Sequence, residues 1–215
     1  MINTDATMAW QFAPMSWKVN AREIMLYALS LGYGADPMDE GELRFVFEKN
    51  LLVVPSFASV VCHPGGWLQS PEVGATWNKV VHGEQNITFH RPFPTSGTID
   101  GKSKILGVDD KGAEKGATIL LENSLYHRES GDLIVKITRS SFCRADGGCG
   151  SAGEPPPRPV AMPDRAPDRV LPISTWAGQA LLYRLNGDSN PLHADPATAA
   201  RAGFDRPILH GLCTY

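Results

Sequence analysis

Between residues 79 and 142 the sequence carries four β-type segments in close succession, 79–93, 98–108, 116–127 and 133–142. The links between them are short and made of turn chemistry: Pro94 to Gly97, Asp109 to Gly112 and Glu129 to Asp132. Links this short admit antiparallel neighbours only, because a parallel crossover needs about a dozen residues or more. An antiparallel meander has one face to cover, and a helix precedes it. Asn20 with Glu23 forms an N-cap and reach-back pair, followed by apolar Ile24, Tyr27, Ala28 and Leu31, and Gly32 and Gly34 stop the helix. The first 146 residues therefore read as an α+β layer, strands packed on at least one helix. Residues 43–47 form a further short β-rich run. Residues 56–61, after Pro55, open a buried helix or continue a strand, and periodicity does not separate the two.

The 215 residues amount to about 1.4 average domains. The break falls in 147–169, which holds six of the seventeen prolines and reads as an extended, semi-rigid linker. Beyond it, from 170, the texture becomes helical. Ser174 caps a helix running to Leu185, with apolar positions at Ala177, Leu181, Leu182 and Leu185 and a C-cap at Asn186-Gly187. Asp195-Pro196 starts a short alanine-rich helix that Gly203 ends.

Composition removes several classes. The net charge is −3 and no two basic residues are adjacent, so nucleic acid is not an expected partner, since backbone binding needs clustered positive charge. The longest apolar stretch, 51–61, is eleven residues interrupted by Pro55, short of the ~20 needed to span a bilayer. Cys62, Cys143, Cys149 and Cys213 form no CxxC pair, so neither a zinc site nor a disulfide framework is expected, and a reducing compartment is.

The loop 188–193, Asp-Ser-Asn-Pro-Leu-His, places a carboxylate and an imidazole five residues apart between a helix end and a fresh helix start. Such a pair suits general acid–base chemistry when the environment sets the two pKa values apart. Downstream, His210-Gly211 precedes an apolar run that reads as a helix N-terminus, where free N–H groups meet a developing oxyanion. Taken singly, Asp188 reads as a turn cap and His193 as a hydrogen-bonded structural histidine. No nucleophile accompanies them.

The joint pattern is more specific. Tyr183-Arg-Leu-Asn-Gly-Asp188-Ser-Asn190-Pro-Leu-His193, followed by Arg206-Pro-Ile-Leu-His-Gly211-Leu-Cys-Thr, closely resembles the hydratase 2, MaoC-like family of (R)-specific enoyl-CoA hydratases. The segments at 24–32, 45–48, 52–57 and 81–85 are similar to the amino-terminal region of its two-repeat members. Asn186 departs from the family pattern, which has Ser, Thr, Gly or Cys there. The resemblance implies a double hot-dog fold: a repeat over 1–146, the 147–169 linker, and from 170 to 215 the start of a second repeat, cut short in its central helix. It also implies reversible addition of water to a trans-2-enoyl-CoA, giving the (3R)-hydroxyacyl-CoA. In that mechanism Asp188 and His193 hold the water and one of them removes its proton. The Gly211 amide binds the thioester oxygen, Asn190 positions His193 or the water, and Tyr27 and Glu48 line or support the site.

Neither metal nor redox cofactor is implied, and coenzyme A arrives with the acyl-CoA substrate. A homodimer or larger assembly and a cytoplasmic location, with the peroxisome as alternative, complete the expectation. Hydrolysis of the thioester by the same fold, or a non-catalytic acyl-CoA-binding role for a shortened second repeat, are the rival readings.

Overall fold

A computed structural model describes residues 1–157 and 161–215. Its frame is a single antiparallel sheet. Strand β1 (Met15–Val19) is followed by β2 (Val80–Phe89), β3 (Gly97–Asp110), β4 (Ala117–His127) and β5 (Leu133–Cys143), in the spatial order β1-β3-β4-β5-β2. The last four strands lie where the sequence pattern puts them. The central strand β4 is buried along most of its length, with β3 and β5 on its flanks.

Helix α2 (Ala21–Leu31) begins at Asn20, whose side chain accepts from the Glu23 amide at 3.1 Å. The expected reach-back is replaced by a tertiary contact: the Glu23 carboxylate accepts from Trp17 Nε1 at 2.6 Å. Gly32 closes the helix at φ +106°, a left-handed conformation open to glycine. The helix buries Ile24, Tyr27 and Ala28 against Ile99, Leu125, Val135 and Ile137 of the sheet and against Phe57 and Ala58. Each such apolar side chain contributes about 1.5–3 kcal/mol on full burial. Phe57 and Ala58 belong to a 3-10 turn over Pro55–Ser59, which settles the ambiguity at 56–61.

A second cluster joins Ile105, Val108, Ile119 and Leu121 to Ile2, with Met8 of helix α1 (Thr4–Met8) packed against it. On β4 the residues 119, 121, 123 and 125 alternate onto one face, so both clusters share that face. Asn123 lies between them, fully buried, and donates to the Cys62 carbonyl at 2.9 Å.

Three expectations are corrected. The run at 43–47 is not a strand: it falls in helix α3 (Glu40–Val46), because Asp39 accepts from the amides of Gly41 and Glu42 and starts a helical turn that the apolar residues then follow. The first residues assigned to the linker, from 148 to 153, are tied to the sheet. Strand β6 (Ala152–Gly153) pairs with Gly107 and Val108 of β3, and the Asp110 carboxylate accepts from the amides of Gly148 and Gly150. Residues 158–160 of the linker lie outside the described residues.

The third correction concerns the helix after the linker. It is α4 (Gln179–Tyr183), prolonged by a 3-10 turn over Arg184–Asn186, and Ser174 stands outside it. Its buried positions are Gln179, Ala180, Tyr183 and Asn186, whereas Leu181 and Leu185 are exposed. The reason is the partner. Ser30 of α2 offers a carbonyl to Gln179 Nε2 at 3.1 Å and a hydroxyl to Asn186 Nδ2 at 3.0 Å, so two amides are buried with their hydrogen bonds made. Tyr183 and Cys213 thereby join the α2 core.

The β3–β6 pairing leaves no room for a side chain at Gly107, where a Cβ would lie 2.0 Å from the Glu154 carbonyl oxygen. Gly107→Ala is expected to lower unfolding stability by about 1–3 kcal/mol in urea titration. An unchanged midpoint would mean that the strap does not pair there.

Candidate active site

The site grows from the end of α4. Tyr183 is 1% exposed, its ring 5.9 Å from Tyr27 and 4.8 Å from His210 between centroids. Asn186, where the chain departs from the family pattern, ties this turn to Ser30. Gly187 at φ +108° then releases the chain into the polar loop. There the Asp188 carboxylate accepts from the Asn190 amide at 3.1 Å, and the Asn190 side chain accepts from the Leu192 amide at 3.1 Å. Asn190 thus caps the single 3-10 turn Pro191–His193 and fixes the backbone that carries His193. Asp195 caps the following helix α5 (Pro196–Arg201), accepting from the amides of Ala197 and Thr198.

His193 Nδ1 lies 2.9 Å from the Ile208 carbonyl. A carbonyl only accepts, so Nδ1 carries the proton and Nε2 of the neutral ring presents its lone pair. Asp188, His193 and His210 offer ligand or proton-transfer atoms that all lie within 4.8 Å of one another. A single water hydrogen-bonded to two groups at about 2.8 Å each spans such a gap. The two imidazoles stack at 3.7 Å between centroids with planes 27° apart, and His210 Nε2 is 3.9 Å from Asp188 Oδ2. His210 is 2% exposed. Burial, and then the neighbouring His193, bring its pKa down to about 4, against a weaker upward pull from Asp188. It is therefore a neutral ring at physiological pH.

Asp188, Asn190 and Tyr183 line a cavity of about 480 Å³ whose far wall includes Ser59, His63 and Leu212. A second cavity, about 770 Å³, shares Leu212 and is lined by Gly211 and Gln85. Gly211 opens a 3-10 turn, Gly211–Thr214, and the oxyanion role expected of it falls to its N–H. Among the described residues no carbonyl accepts from that N–H, and a Cβ at 211 would meet nothing within 4 Å.

The structure therefore brings Asp188, Asn190 and His193 together, while Gly211, next in the chain to His210, lines the second cavity. Tyr27 stands one layer behind, fully buried, donating to Ser56 Oγ at 3.0 Å and touching the site through Tyr183. Burial raises its pKa, so it is a neutral hydroxyl. Glu48 is not brought in: it lies exposed in the bend after α3 and lines neither cavity. His63, which belongs to no sequence motif, sits in the cavity wall. His210, present in the motif but given no role, is the ring that packs on His193.

Residues 17–145 match the family described as MFE-2 hydratase 2 N-terminal domain, and residues 159–215 match the MaoC like domain. The chain belongs to the hydratase 2, MaoC-like dehydratase family. Proteins so named are hydro-lyases, and this chain is a hydro-lyase. It is 36% identical to "Enoyl-CoA hydratase ChsH3" of Mycobacterium tuberculosis over 100% of this chain and 75% of the relative. It is 37% identical to "Enoyl-CoA hydratase 2, peroxisomal" of Arabidopsis thaliana over 99% of this chain and 73% of the relative. The crystal structure of a MaoC-like dehydratase from Phytophthora capsici superposes with a TM-score of 0.82 at 31% identity, covering 98% of this chain and 73% of that one. The α+β layer is accordingly a hot-dog fold. No helix among the described residues is long and apolar enough to cross a membrane.

The depressed His210 pKa has a consequence for this hydratase-family chain. In the unfolded chain His210 takes up a proton below about pH 6.5, whereas in the fold it resists protonation down to about 4. The unfolded state binds more protons in that window, so stability is full above it and falls as pH drops through it. Thermal unfolding between pH 7 and 4 should show this decline, and His210→Asn should make it shallower, the remainder coming from His63 and His82, whose pKa values burial also lowers. An unchanged slope in the variant would contradict the assignment.

Proposed function

We propose that the chain is an (R)-specific trans-2-enoyl-CoA hydratase, working reversibly as a (3R)-hydroxyacyl-CoA dehydratase in fatty-acyl-CoA metabolism. The observation that carries the reading is the gap of at most 4.8 Å between the Asp188 carboxylate and the imidazole of His193, whose Nδ1 is engaged by Ile208. In this mechanism a water rests between them. His193 Nε2 accepts a proton as the water oxygen bonds to Cβ, and the π electrons of the alkene move onto the thioester oxygen. The Gly211 N–H donates to that oxygen, and the imidazolium, next to the Asp188 carboxylate, returns its proton to Cα. Both new bonds form from one side of the alkene, because water and proton come from the same group.

The proposal draws on no metal or redox cofactor, since the transient charge sits on one oxygen that an amide can meet. Asp188, His193 and His210 are also a possible cation-binding set, so the point needs its own measurement. Activity should survive exhaustive chelation unchanged, and loss restored by added metal would overturn this part.

In our reading the protein acts on acyl-CoA in the cytoplasm, with the peroxisome as the alternative that the Arabidopsis relative's name supports. We also infer that it self-associates as a homodimer or larger assembly. What supports this is β2, an edge strand of the sheet with Val81 and Phe89 exposed on it.

Loss of the enoyl absorbance of crotonyl-CoA tests the reaction directly. Asp188→Asn and His193→Gln should each reduce kcat by about 10²–10⁴-fold. Free thiol appearing without hydroxyacyl-CoA would replace hydration by thioester hydrolysis. Gly211→Ala separates a chemical role from a packing role, because the chain leaves open space for the added methyl group. The thermal midpoint should hold while kcat falls by about tenfold or more as the thioester oxygen is pushed off its donor. Undiminished kcat would remove Gly211 from the mechanism.

A further inference from the structure

Among the described residues, the buried side-chain polar atoms that lack a hydrogen-bond partner belong to Gln85, Arg139, Tyr183, Arg184 and His210. Buried polar groups in folded proteins are nearly always satisfied, so a cluster of exceptions calls for a reason. Three of these residues belong to the loop and turns of the site already described. Gln85 and Arg139 come from the sheet, directly opposite each other on β2 and β5, and project from the same face. Gln85 leaves both amide atoms unpartnered and Arg139 its Nε.

Arg139 is the harder to explain as structure. It is 6% exposed, and its side-chain hydrogen bond, from Nη2 to the Ser59 carbonyl, is long at 3.4 Å. None of the ion pairs among the described residues includes it. Burial lowers its pKa to about 10, which still leaves it charged at neutral pH. A buried cation without a counter-ion destabilises a fold unless something else pairs with it. Its β4 neighbour across the sheet is Leu121, and Ile137 precedes it on the same face, so an apolar residue would pack there at no such penalty. Ser59, the residue it reaches, forms part of the wall of the cavity that also holds Tyr183 and Asp188.

We propose that Arg139, aided by the Gln85 amide, receives a carboxylate carried on the acyl part of the substrate, so that the preferred thioester is an enoyl-CoA with an acidic group remote from the reacting alkene. The inference rests on the acyl-CoA reading above. One guanidinium beside the Gln85 amide, with the imidazoles of His63 and His82 near it and biased to the neutral form by burial, matches a single negative charge in a fork geometry. A phosphate group of coenzyme A brings close to two charges and finds no second cation among the unpartnered groups at Gln85 and Arg139.

Calorimetric titration of the full chain with trans-2-enoyl-CoA of matched chain length, with and without a terminal carboxylate, tests it, and free coenzyme A serves as the phosphate arm. The carboxylate-bearing thioester should bind about tenfold or more tightly than the plain one. Arg139→Met should abolish the preference and Arg139→Lys restore part of it. The wild-type comparison stands even where a variant fails to fold. Equal or weaker binding of the carboxylate form, or a preference that persists in Arg139→Met, overturns the proposal. So does a loss of affinity for free coenzyme A equal to that for the carboxylate form, which would assign Arg139 to phosphate. Failure of either thioester to bind refutes the acyl-CoA reading itself and this inference with it.

Discussion

The arrangement depends on one buried contact, the Tyr183 ring held between Tyr27 of α2 and His210 of the final turn. Tyr27 is fixed in turn by Phe57, whose ring is 5.4 Å away, and by the Ser56 hydroxyl. Through this stack the rigid layer of helix and sheet dictates where a short polar loop sits. Aromatic pairs in such geometry contribute about 0.5–1.5 kcal/mol beyond their area burial. Two buried amides, Gln179 and Asn186, add directional constraint by anchoring on Ser30. The loop 188–193 has few contacts of its own, and its precision is borrowed from these anchors on one side and from the Asp195 cap on the other.

That support explains the division of labour among the polar groups. His210 is kept neutral by burial and by its stacked neighbour. It can therefore pack against His193 without placing two positive charges 3.7 Å apart between ring centroids. His193 has its tautomer fixed by a backbone carbonyl and turns its free lone pair away from that carbonyl. Asp188 stays partly in solvent. Two imidazoles and one carboxylate thus occupy three environments.

Much of this was legible in the sequence wherever a local rule operated alone. The alternation and turn residues of 79–142 delivered β2 to β5, Asn20 and Gly32 delivered α2, and the Asp188 to His193 spacing marked the loop. Reading failed where a distant partner decided the outcome. The apolar run at 43–47 became helix because Asp39 supplied a cap, a signal present in the sequence but outweighed by Phe and Val. The buried face of α4 turned out to be Gln179 and Asn186 because Ser30, some 150 residues earlier, accepts from them. Glu48 matched a family position yet lies exposed after α3, and nothing local distinguishes those two fates. His210 drew no role because ring stacking on His193 exists only once α5 has folded the chain back.

The most direct measurement of the central claim is hydration of crotonyl-CoA by the purified chain in deuterium oxide, followed by stereochemical analysis of the product. A solvent molecule held between Asp188 and His193, with proton return from the same group, predicts deuterium at Cα on the face that received the oxygen, and the proposed (R)-specificity predicts the 3R configuration. A (3S) product, deuterium on the opposite face, or thiol release without any hydroxyacyl product would contradict it.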